Sequence, residues 1–484
     1  MMSSRKWRLA PSRRERWAGT PLGWTTATVL GALFFSAFTV VSDTSGESVS
    51  GGERVGYFAD WNTANRDYTI ADIAENGAAD QLTHLMWAFG DVSSEGKCHI
   101  PQGSNQAWEI YQRRYSAEES VDGQADDYRQ ELAGSLGQLR KLKSEHPALR
   151  ASISLGGWNW STYFSRAART EESRREFVSS CIDLWLRGNL PVRGGEPQGG
   201  EGAAAGVFDG IDLDWEWPGG RGHEDNIEHE EDKRNFTLLV REFRRQLDEL
   251  GSETGEEYAL TASVASGEET IADSYEADAF DELDFATVQG YDFSGPWSEV
   301  TNHHSQLYAP DNAPNSASAK RAVQQYLDLG VPPEKLVLGF PGFGRGWSGV
   351  RADGPARFVR ATGAADGGYG GSTESYAALE KREGRRFMDP VNGAYWLIDG
   401  DEWWSYDTPE VVAMKGEYVR ENGLGGLMLW NLDMDANGEL TAAMEEALEG
   451  QRPEPSPSVD TRKPSGPSPE REGEQTPDGS PEPG

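Results

Sequence analysis

The sequence predicts a (β/α)8 TIM barrel of the α/β class, with a small α+β insertion between strands 7 and 8. Eight short runs rich in β-branched and aromatic residues alternate with helical patterns, which is typical of parallel strands joined by crossover helices. No GxGxxG follows the first run, so a doubly wound open sheet is the weaker alternative. About 80 residues separate the seventh and eighth runs, which is too long for an ordinary connection.

The eight predicted strands lie at residues 55–59, 82–90, 150–155, 206–215, 259–264, 285–291, 336–342 and 425–432. Amphipathic helical patterns lie between them, for example FVSSCIDLWL at 177–186 and RNFTLLVREFRRQLDEL at 234–250. The predicted insertion covers about residues 347–410, because this stretch holds aromatic strand-like pieces and one helix-like piece, SYAALEKRE. The catalytic barrel as a whole is expected over residues 53–449.

The two ends of the chain differ from this pattern. Residues 1–42 carry six basic residues and then the uncharged run LGWTTATVLGALFFSAFTVV at 22–41, which predicts a signal peptide or, as the alternative, a membrane anchor. Residues 43–52 form a polar linker. The Pro-, Ser- and Glu-rich tail at 450–484 is expected to be disordered. We therefore expect a secreted, extracellular protein that contacts a membrane only if the N-terminal segment is uncleaved.

The formal net charge of −35 limits the possible partners. So acidic a surface repels phosphate backbones and anionic lipids, which argues against nucleic-acid binding and favours a neutral or cationic partner. Solubility or salt adaptation is the alternative meaning of the charge. We expect a monomer.

The chain has two cysteines, Cys98 and Cys181. In an exported protein they can form a single disulfide, and two unrelated buried thiols are the alternative. The sequence has no CxxC, no HExxH and no zinc-like cluster, so neither a metal site nor a cofactor is expected.

The stretch FDGIDLDWEWP at 208–218 carries four acids among apolar neighbours. Side chains of a barrel strand alternate between the lumen and the helix layer, so Asp212, Asp214 and Glu216 share the lumen face. Glu216 lies nearest the carboxyl end of the strand, where the active sites of this fold lie. Asp209 is one position out of step and is expected to lie deeper, or near a bend.

Carboxyl groups stacked in a lumen of low dielectric raise one another's pKa, and burial raises it further. The outermost acid can then stay protonated near neutral pH, as a general acid must. A salt-bridged strand or a calcium site is the alternative. The run contains no Arg or Lys, however, and it is too apolar for a calcium loop. We therefore expect a catalytic site.

These motifs resemble those of family-18 glycoside hydrolases, the chitinases. DGIDLDWEWP resembles their DxxDxDxE signature. Four further segments resemble family motifs in the family's order: SLGGW at 154–158, QGYDFSGPW at 289–297, GFPGFGRGW at 339–347 and GLGGLMLWNLDMD at 423–435. The resemblance covers about residues 53–449 and is nearest to secreted actinobacterial chitinases that carry the α+β insertion.

The resemblance implies hydrolysis of β-1,4-linked N-acetylglucosamine in chitin and chitooligosaccharides. The implied mechanism retains the anomeric configuration and uses the substrate's own acetamido group, through an oxazolinium intermediate. Glu216 would be the acid and base, and Asp214 would hold the acetamido group. Asp212, with Asp209 behind it, would tune Asp214, and Ser154 would hydrogen-bond this acid pair.

The likeness also assigns residues that contact the sugar. Tyr291 would donate a hydrogen bond to the acetamido oxygen, and Asp292 would contact the sugar or the surroundings of Glu216. The expected substrate-binding residues are Tyr57, Phe89, Gly157, Trp158, Trp217, Gln289, Arg345 and Trp430. Core packing is the alternative for the aromatic residues. Weaker candidates for outer subsites are Trp160, Trp297, Trp403 and Trp404, and His303 and His304 are not expected to be ligands.

Two other functions stay open. A non-catalytic chitin-binding lectin would normally lack the acid, and Glu216 is present. An endo-β-N-acetylglucosaminidase acting on glycans is the second alternative, although the predicted insertion would deepen the cleft and favour long linear chitin over branched glycans.

Overall fold

The computed structural model describes residues 51–100, 106–351 and 354–450. The predicted signal or anchor, nearly all of the linker and the tail from residue 451 lie outside these residues. Among the helices of the described part, none is both long enough and apolar enough to cross a bilayer.

Eight parallel strands close into a barrel, so the predicted (β/α)8 fold is confirmed. They are β1 Glu53–Ala59, β2 His84–Val92, β3 Arg150–Gly156, β4 Gly210–Asp214, β5 Ala259–Val264, β6 Phe285–Val288, β7 Leu336–Pro341 and β8 Gly426–Trp430. Each strand pairs with the next, and β8 pairs with β1. Every predicted run contains most of one of these strands.

Helices cover the outside of the barrel. The longest, Asp232–Thr254, buries an apolar stripe that includes Phe236, Leu239, Phe243 and Leu247, as an amphipathic helix packed on a sheet should. The others are Trp61–Arg66, Ile70–Glu75, Ala78–Gln81, Gly134–Glu145, Phe164–Ala168, Glu171–Cys181, Glu268–Ser274, Asp278–Asp281, Ala319–Leu329, Pro409–Asn422 and Glu439–Leu448.

An antiparallel sheet lies between β7 and β8, which confirms the predicted insertion. Its strands are Phe343–Ser348, Gly363–Ala364, Thr373–Ser375, Arg385–Asp389, Ala394–Asp399 and Glu402–Tyr406, with one short helix, Tyr376–Leu379. The first strand starts at Phe343, just after β7 ends. The insertion therefore begins a few residues earlier than the aromatic pieces alone indicated.

The structure joins Cys98 and Cys181 in a disulfide. Cys98 lies in a two-residue strand, Cys98–His99, that pairs with the end of β2. Cys181 is the last residue of the helix Glu171–Cys181. The bond therefore ties the extension of β2 to the helix layer.

Replacing both cysteines with serine should lower the free energy of unfolding. The two residues are 83 positions apart, and a constraint of that size on the unfolded chain contributes roughly 2–5 kcal/mol. Denaturant unfolding of the double variant, and of the natural protein with and without reductant, measures the difference. Equal transition midpoints for the oxidised and reduced proteins would contradict the prediction.

Candidate active site

Strand β4 and the residues after it hold a row of three buried carboxyl groups. Asp212 and Asp214 are 0% and 2% exposed, and Glu216, two residues beyond the strand, is 8% exposed. Leu213 and Trp215, which lie between them, belong to the core under the helices. The alternation of a barrel strand thus places the three acids on the lumen side, at the carboxyl end of the barrel.

Three hydroxyl groups surround Asp212. Ser154 on β3 and Thr261 on β5 stand in register with Asp212, and their hydroxyls donate to its two carboxylate oxygens at 2.7 Å each. Tyr57 on β1 reaches across the lumen and donates at 2.8 Å. Burial raises the pKa of Asp212, and the three hydrogen bonds lower it.

The structure corrects the placement of Tyr57. We expected it beside the sugar, but it is 1% exposed and does not line the cleft. Its hydroxyl donates a hydrogen bond to Asp212 instead. No motif in the sequence pointed to Thr261, although it occupies a lumen position of a predicted strand.

Asp209 lies at a bend before the strand, as expected, but its side chain is not behind Asp212, so that part of the expectation was wrong. It precedes β4, and its carboxylate accepts hydrogen bonds from the Lys143 ammonium at 2.6 Å and from the Ala151 N–H at 2.8 Å. Lys143 belongs to the outer helix Gly134–Glu145. The alternation of side chains between the lumen and the helix layer therefore starts only after Asp209. The Asp209 side chain instead binds Lys143 and the Ala151 N–H at the amino end of the barrel.

Asp214 and Glu216 form a coupled pair. Burial and the charges of Glu216 and Asp212 raise the pKa of Asp214 well above its usual range. Burial also raises the pKa of Glu216 to about 8, the nearby Gln289 amide lowers it, and the charge of Asp292 raises it. The pair therefore retains a proton at neutral pH. Asp214 has one carboxylate oxygen, Oδ1, that is buried and without a partner among the described residues.

Main-chain contacts hold these two acids in place. The N–H of Glu216 donates to the Ser161 hydroxyl at 3.0 Å, and its carbonyl accepts a hydrogen bond from Asn226 at 2.6 Å. The carbonyl of Asp214 accepts from the N–H of Gly157 at 2.7 Å. Ser161 and Asn226 lie in loops and carry no sequence signal that we identified beforehand.

The acids open into a cleft of about 800 Å³. Ten predicted site residues line it: Phe89, Trp158, Asp214, Glu216, Trp217, Gln289, Tyr291, Asp292, Arg345 and Trp430. Of the weaker candidates, Trp160 and Trp297 also line it. Lining residues that the sequence analysis missed include Trp61, Asn159 and Thr270. Trp61 could have been found, because it follows the end of a predicted strand by two residues.

Aromatic rings form one continuous wall of the cleft. Phe89 stacks on Trp430 and on Trp61, with ring centroids 5.7 Å and 5.8 Å apart. Trp160 lies 5.7 Å from Trp61. Flat apolar rings of this kind fit the apolar faces of sugar rings.

Gly157 supports this wall from behind and does not line the cleft. A Cβ at this position would come within 2.5 Å of the Phe89 ring, and its φ of +72° favours glycine. Trp403 and Trp404 are both 0% exposed. They pack inside the insertion, which was the alternative for these two residues.

Asp292 is held as a carboxylate at the edge of the cleft. Burial opposes its ionisation, but the charge of Arg345 and the hydrogen bonds from His304 and Arg345 together outweigh burial and hold the pKa of Asp292 well below its usual range. The Arg345 guanidinium donates to both carboxylate oxygens at 2.7 Å and 2.8 Å and also to Thr373. The buried His304 ring lies behind, with Nδ1 3.7 Å from Asp292. Within the described ranges, no group of three or more His, Cys, Asp or Glu could hold a metal ion.

Residues 53–435 match the profile of the family described as Glycosyl hydrolases family 18. The chain belongs to this family. The family-18 protein is 34% identical to Chitinase C of Streptomyces lividans over 417 residues, which cover 84% of this chain and 60% of that relative. It is 31% identical to Chitinase A1 of Niallia circulans over 449 residues, 85% of this chain and 60% of that relative. The chain thus spans about 60% of the length of these relatives.

Solved structures agree with this membership. The catalytic domain of psychrophilic chitinase B from Arthrobacter TAD20 is 38% identical with a TM-score of 0.79, over 86% of this chain and 98% of that one. A family-18 N-acetylglucosaminidase from Paenibacillus barengoltzii is 26% identical with a TM-score of 0.64, over 82% and 99%.

Replacing Glu216 with glutamine should stabilise the family-18 fold at neutral pH. The folded-state pKa of about 8 lies above the ordinary value of 4.5, so the folded chain binds more protons than the unfolded chain between those values. Stability therefore falls as the pH rises through this window. Glu216→Gln removes this loss, which amounts to at most about 3 kcal/mol at pH 7.

Thermal unfolding at pH 4 and at pH 7 measures this effect. We expect equal melting temperatures at pH 4 and a higher one for Glu216→Gln at pH 7. A gain of the same size at both pH values would show that the effect comes from packing and not from the proton.

Proposed function

We propose that the protein is a secreted endochitinase. It hydrolyses β-1,4 linkages between N-acetylglucosamine units of chitin and chitooligosaccharides with retention of configuration. The observation that carries the proposal is a protonatable carboxyl group, Glu216, beside the buried Asp214 at the base of an aromatic-walled cleft. The names of the similar proteins, chitinases from Streptomyces and Arthrobacter, support the same substrate class.

In the first step Glu216 donates its proton to the glycosidic oxygen. The bond between C1 and that oxygen breaks, and its electron pair stays with the leaving sugar. The acetamido oxygen of the same sugar attacks C1 and forms a cyclic oxazolinium. The unpartnered Oδ1 of Asp214 accepts the acetamido N–H, and the Tyr291 hydroxyl, which lines the cleft, donates to the acetamido oxygen.

In the second step Glu216, now a carboxylate, takes a proton from water. The water oxygen attacks C1, and the bond between C1 and the acetamido oxygen breaks. Two inversions at C1 give net retention. A raised pKa suits both steps, because the group must release and regain one proton near neutral pH.

The surrounding groups set the charge of this pair. Asp212 holds negative charge close to Asp214 while three hydroxyls satisfy its oxygens. Asp214 can then favour the positive charge that develops on the oxazolinium. Burial raises the pKa of Glu216, and the negative charge of Asp292 raises it further. Arg345, which lines the cleft, donates to both oxygens of Asp292.

We infer that residues 1–42 direct export of the chain. Their composition supports this, and so does the disulfide, because disulfides persist in oxidising compartments outside the cytosol. On this proposal the protein acts outside the bacterial cell as a monomer on chitin.

Incubation of the protein with the N-acetylglucosamine hexasaccharide tests the proposed function. We expect dimers and trimers, and NMR should show the β-anomer at each new reducing end. Intact hexasaccharide that nevertheless binds would support the lectin. Release of glycans from a glycoprotein without cleavage of the hexasaccharide would support the endo-β-N-acetylglucosaminidase.

Glu216→Gln should abolish turnover and leave binding of the hexasaccharide within a few-fold of the natural protein. Loss of a general acid lowers the rate about 10²–10⁴-fold, and the amide keeps the shape of the side chain. Initial rates and calorimetric binding measure the two effects. If the variant keeps more than a few per cent of the natural rate, Glu216 is not the catalytic acid.

Asp292→Asn should move the alkaline limb of the pH profile of kcat/KM to lower pH. The charge of Asp292 raises the pKa of Glu216, and the catalytic acid must be protonated. Without this charge Glu216 loses its proton at lower pH. Asp209→Asn is the matched control, because that carboxylate lies at the opposite end of β4 and should leave the limb in place.

A further inference from the structure

A second, smaller cavity lies on the other side of the aromatic wall. Its volume is about 280 Å³, and it shares Trp61, Phe89 and Trp160 with the main cleft. Two carboxyl groups, Asp60 and Glu109, also line it. The mechanism uses neither of these acids. Because Trp61, Phe89 and Trp160 line both cavities, the side pocket adjoins the cleft.

Asp60 is the buried polar group of the side pocket. It directly follows β1, and its N–H donates to the Ala88 carbonyl at 3.1 Å. The residue is 9% exposed. One carboxylate oxygen accepts a hydrogen bond from the Ser135 hydroxyl. Among the described residues, no hydrogen bond reaches its other oxygen and no basic side chain pairs with it.

A buried carboxyl group without a cation is electrostatically unfavourable when it ionises. Burial raises the pKa of Asp60 to about 7, the Ser135 hydroxyl lowers it, and the charge of Glu109 raises it. The guanidinium of Arg113 lies 3.3 Å from Glu109 and is engaged there. A positive charge entering the side pocket would therefore favour the ionised form of Asp60.

The rest of the lining also fits a cation. Aromatic faces attract ammonium groups, most strongly when water is excluded. Trp61, Phe89 and Trp160 supply such faces, and they already bound the cleft in which a sugar chain would lie. An acetylated sugar unit carries no charge, so it would leave ionised Asp60 without a counterion.

We propose that the side pocket binds a glucosamine unit of a partly deacetylated chain, with the sugar ammonium on the Asp60 carboxylate. This proposal rests on the proposed function, because the rest of the chain must occupy the cleft. Asp214 requires an acetylated sugar at the cleavage point. Asp60 would add a second requirement, for a glucosamine at the position that enters the side pocket.

Binding without cleavage tests the side pocket. Full-length Glu216→Gln protein is titrated by calorimetry at pH 6 with acetylated hexasaccharide. It is then titrated with hexasaccharides that carry one glucosamine at each position in turn. We expect one position to bind roughly 10-fold more tightly than the acetylated ligand, the size of one charged hydrogen bond. Adding Asp60→Asn should abolish this preference, and adding Asp209→Asn should keep it.

Equal affinity for every hexasaccharide, or a preference that survives Asp60→Asn, would overturn the proposal. A measurement on the natural protein avoids any folding defect of the variant. Mass-spectrometric sequencing of products from partly deacetylated chitosan should show glucosamine enriched at one fixed position relative to the cut. A random distribution there would also overturn it.

The two proposals can fail separately. Cleavage of the acetylated hexasaccharide with no glucosamine preference would reject the side pocket alone. A glucosamine preference in a natural protein that cleaves no hexasaccharide would reject the proposed hydrolysis and keep the side pocket.

Discussion

The burial of Asp212 in the barrel lumen is the constraint on which the site depends. A carboxyl group with no exposed surface needs polar partners, and hydroxyls from β1, β3 and β5 supply them. These contacts link non-adjacent strands through one side chain. They also keep negative charge beneath Asp214, which adds to the effect of burial and of the Glu216 charge in raising the pKa of that residue. The closed barrel therefore contributes to the proton on the outer pair, both by burying the two acids and by holding Asp212 beneath them.

The cleft is built differently from the acid row. Its walls come from residues near the carboxyl ends of strands, such as Phe89, Trp61 and Trp430, whose rings pack on one another. The insertion contributes the pair of Arg345 and Thr373, which holds Asp292 at the edge. The strands thus set the depth of the acids, while the loops and the insertion set the shape of the space above them.

Predictions from the sequence were most successful where one strand decides the outcome. Asp212, Asp214 and Glu216 share a face because side chains alternate along β4. Errors occurred where the contact depends on other elements. Tyr57 lies on a lumen position, as alternation requires, but only the closed barrel shows that its hydroxyl reaches Asp212. Asp209 lies before the alternation begins, and only the outer helix reveals its partner, Lys143.

The sequence alone determined the fold class, the place of the insertion, the row of acids and most of the cleft residues. These follow from local periodicity, from spacing and from the motifs that mark the family. The tertiary structure decided which side chains face the sugar and which support them from behind, and it revealed the side pocket at Asp60. These properties depend on which distant residues meet and on how far water is excluded, and no spacing along one chain encodes either quantity.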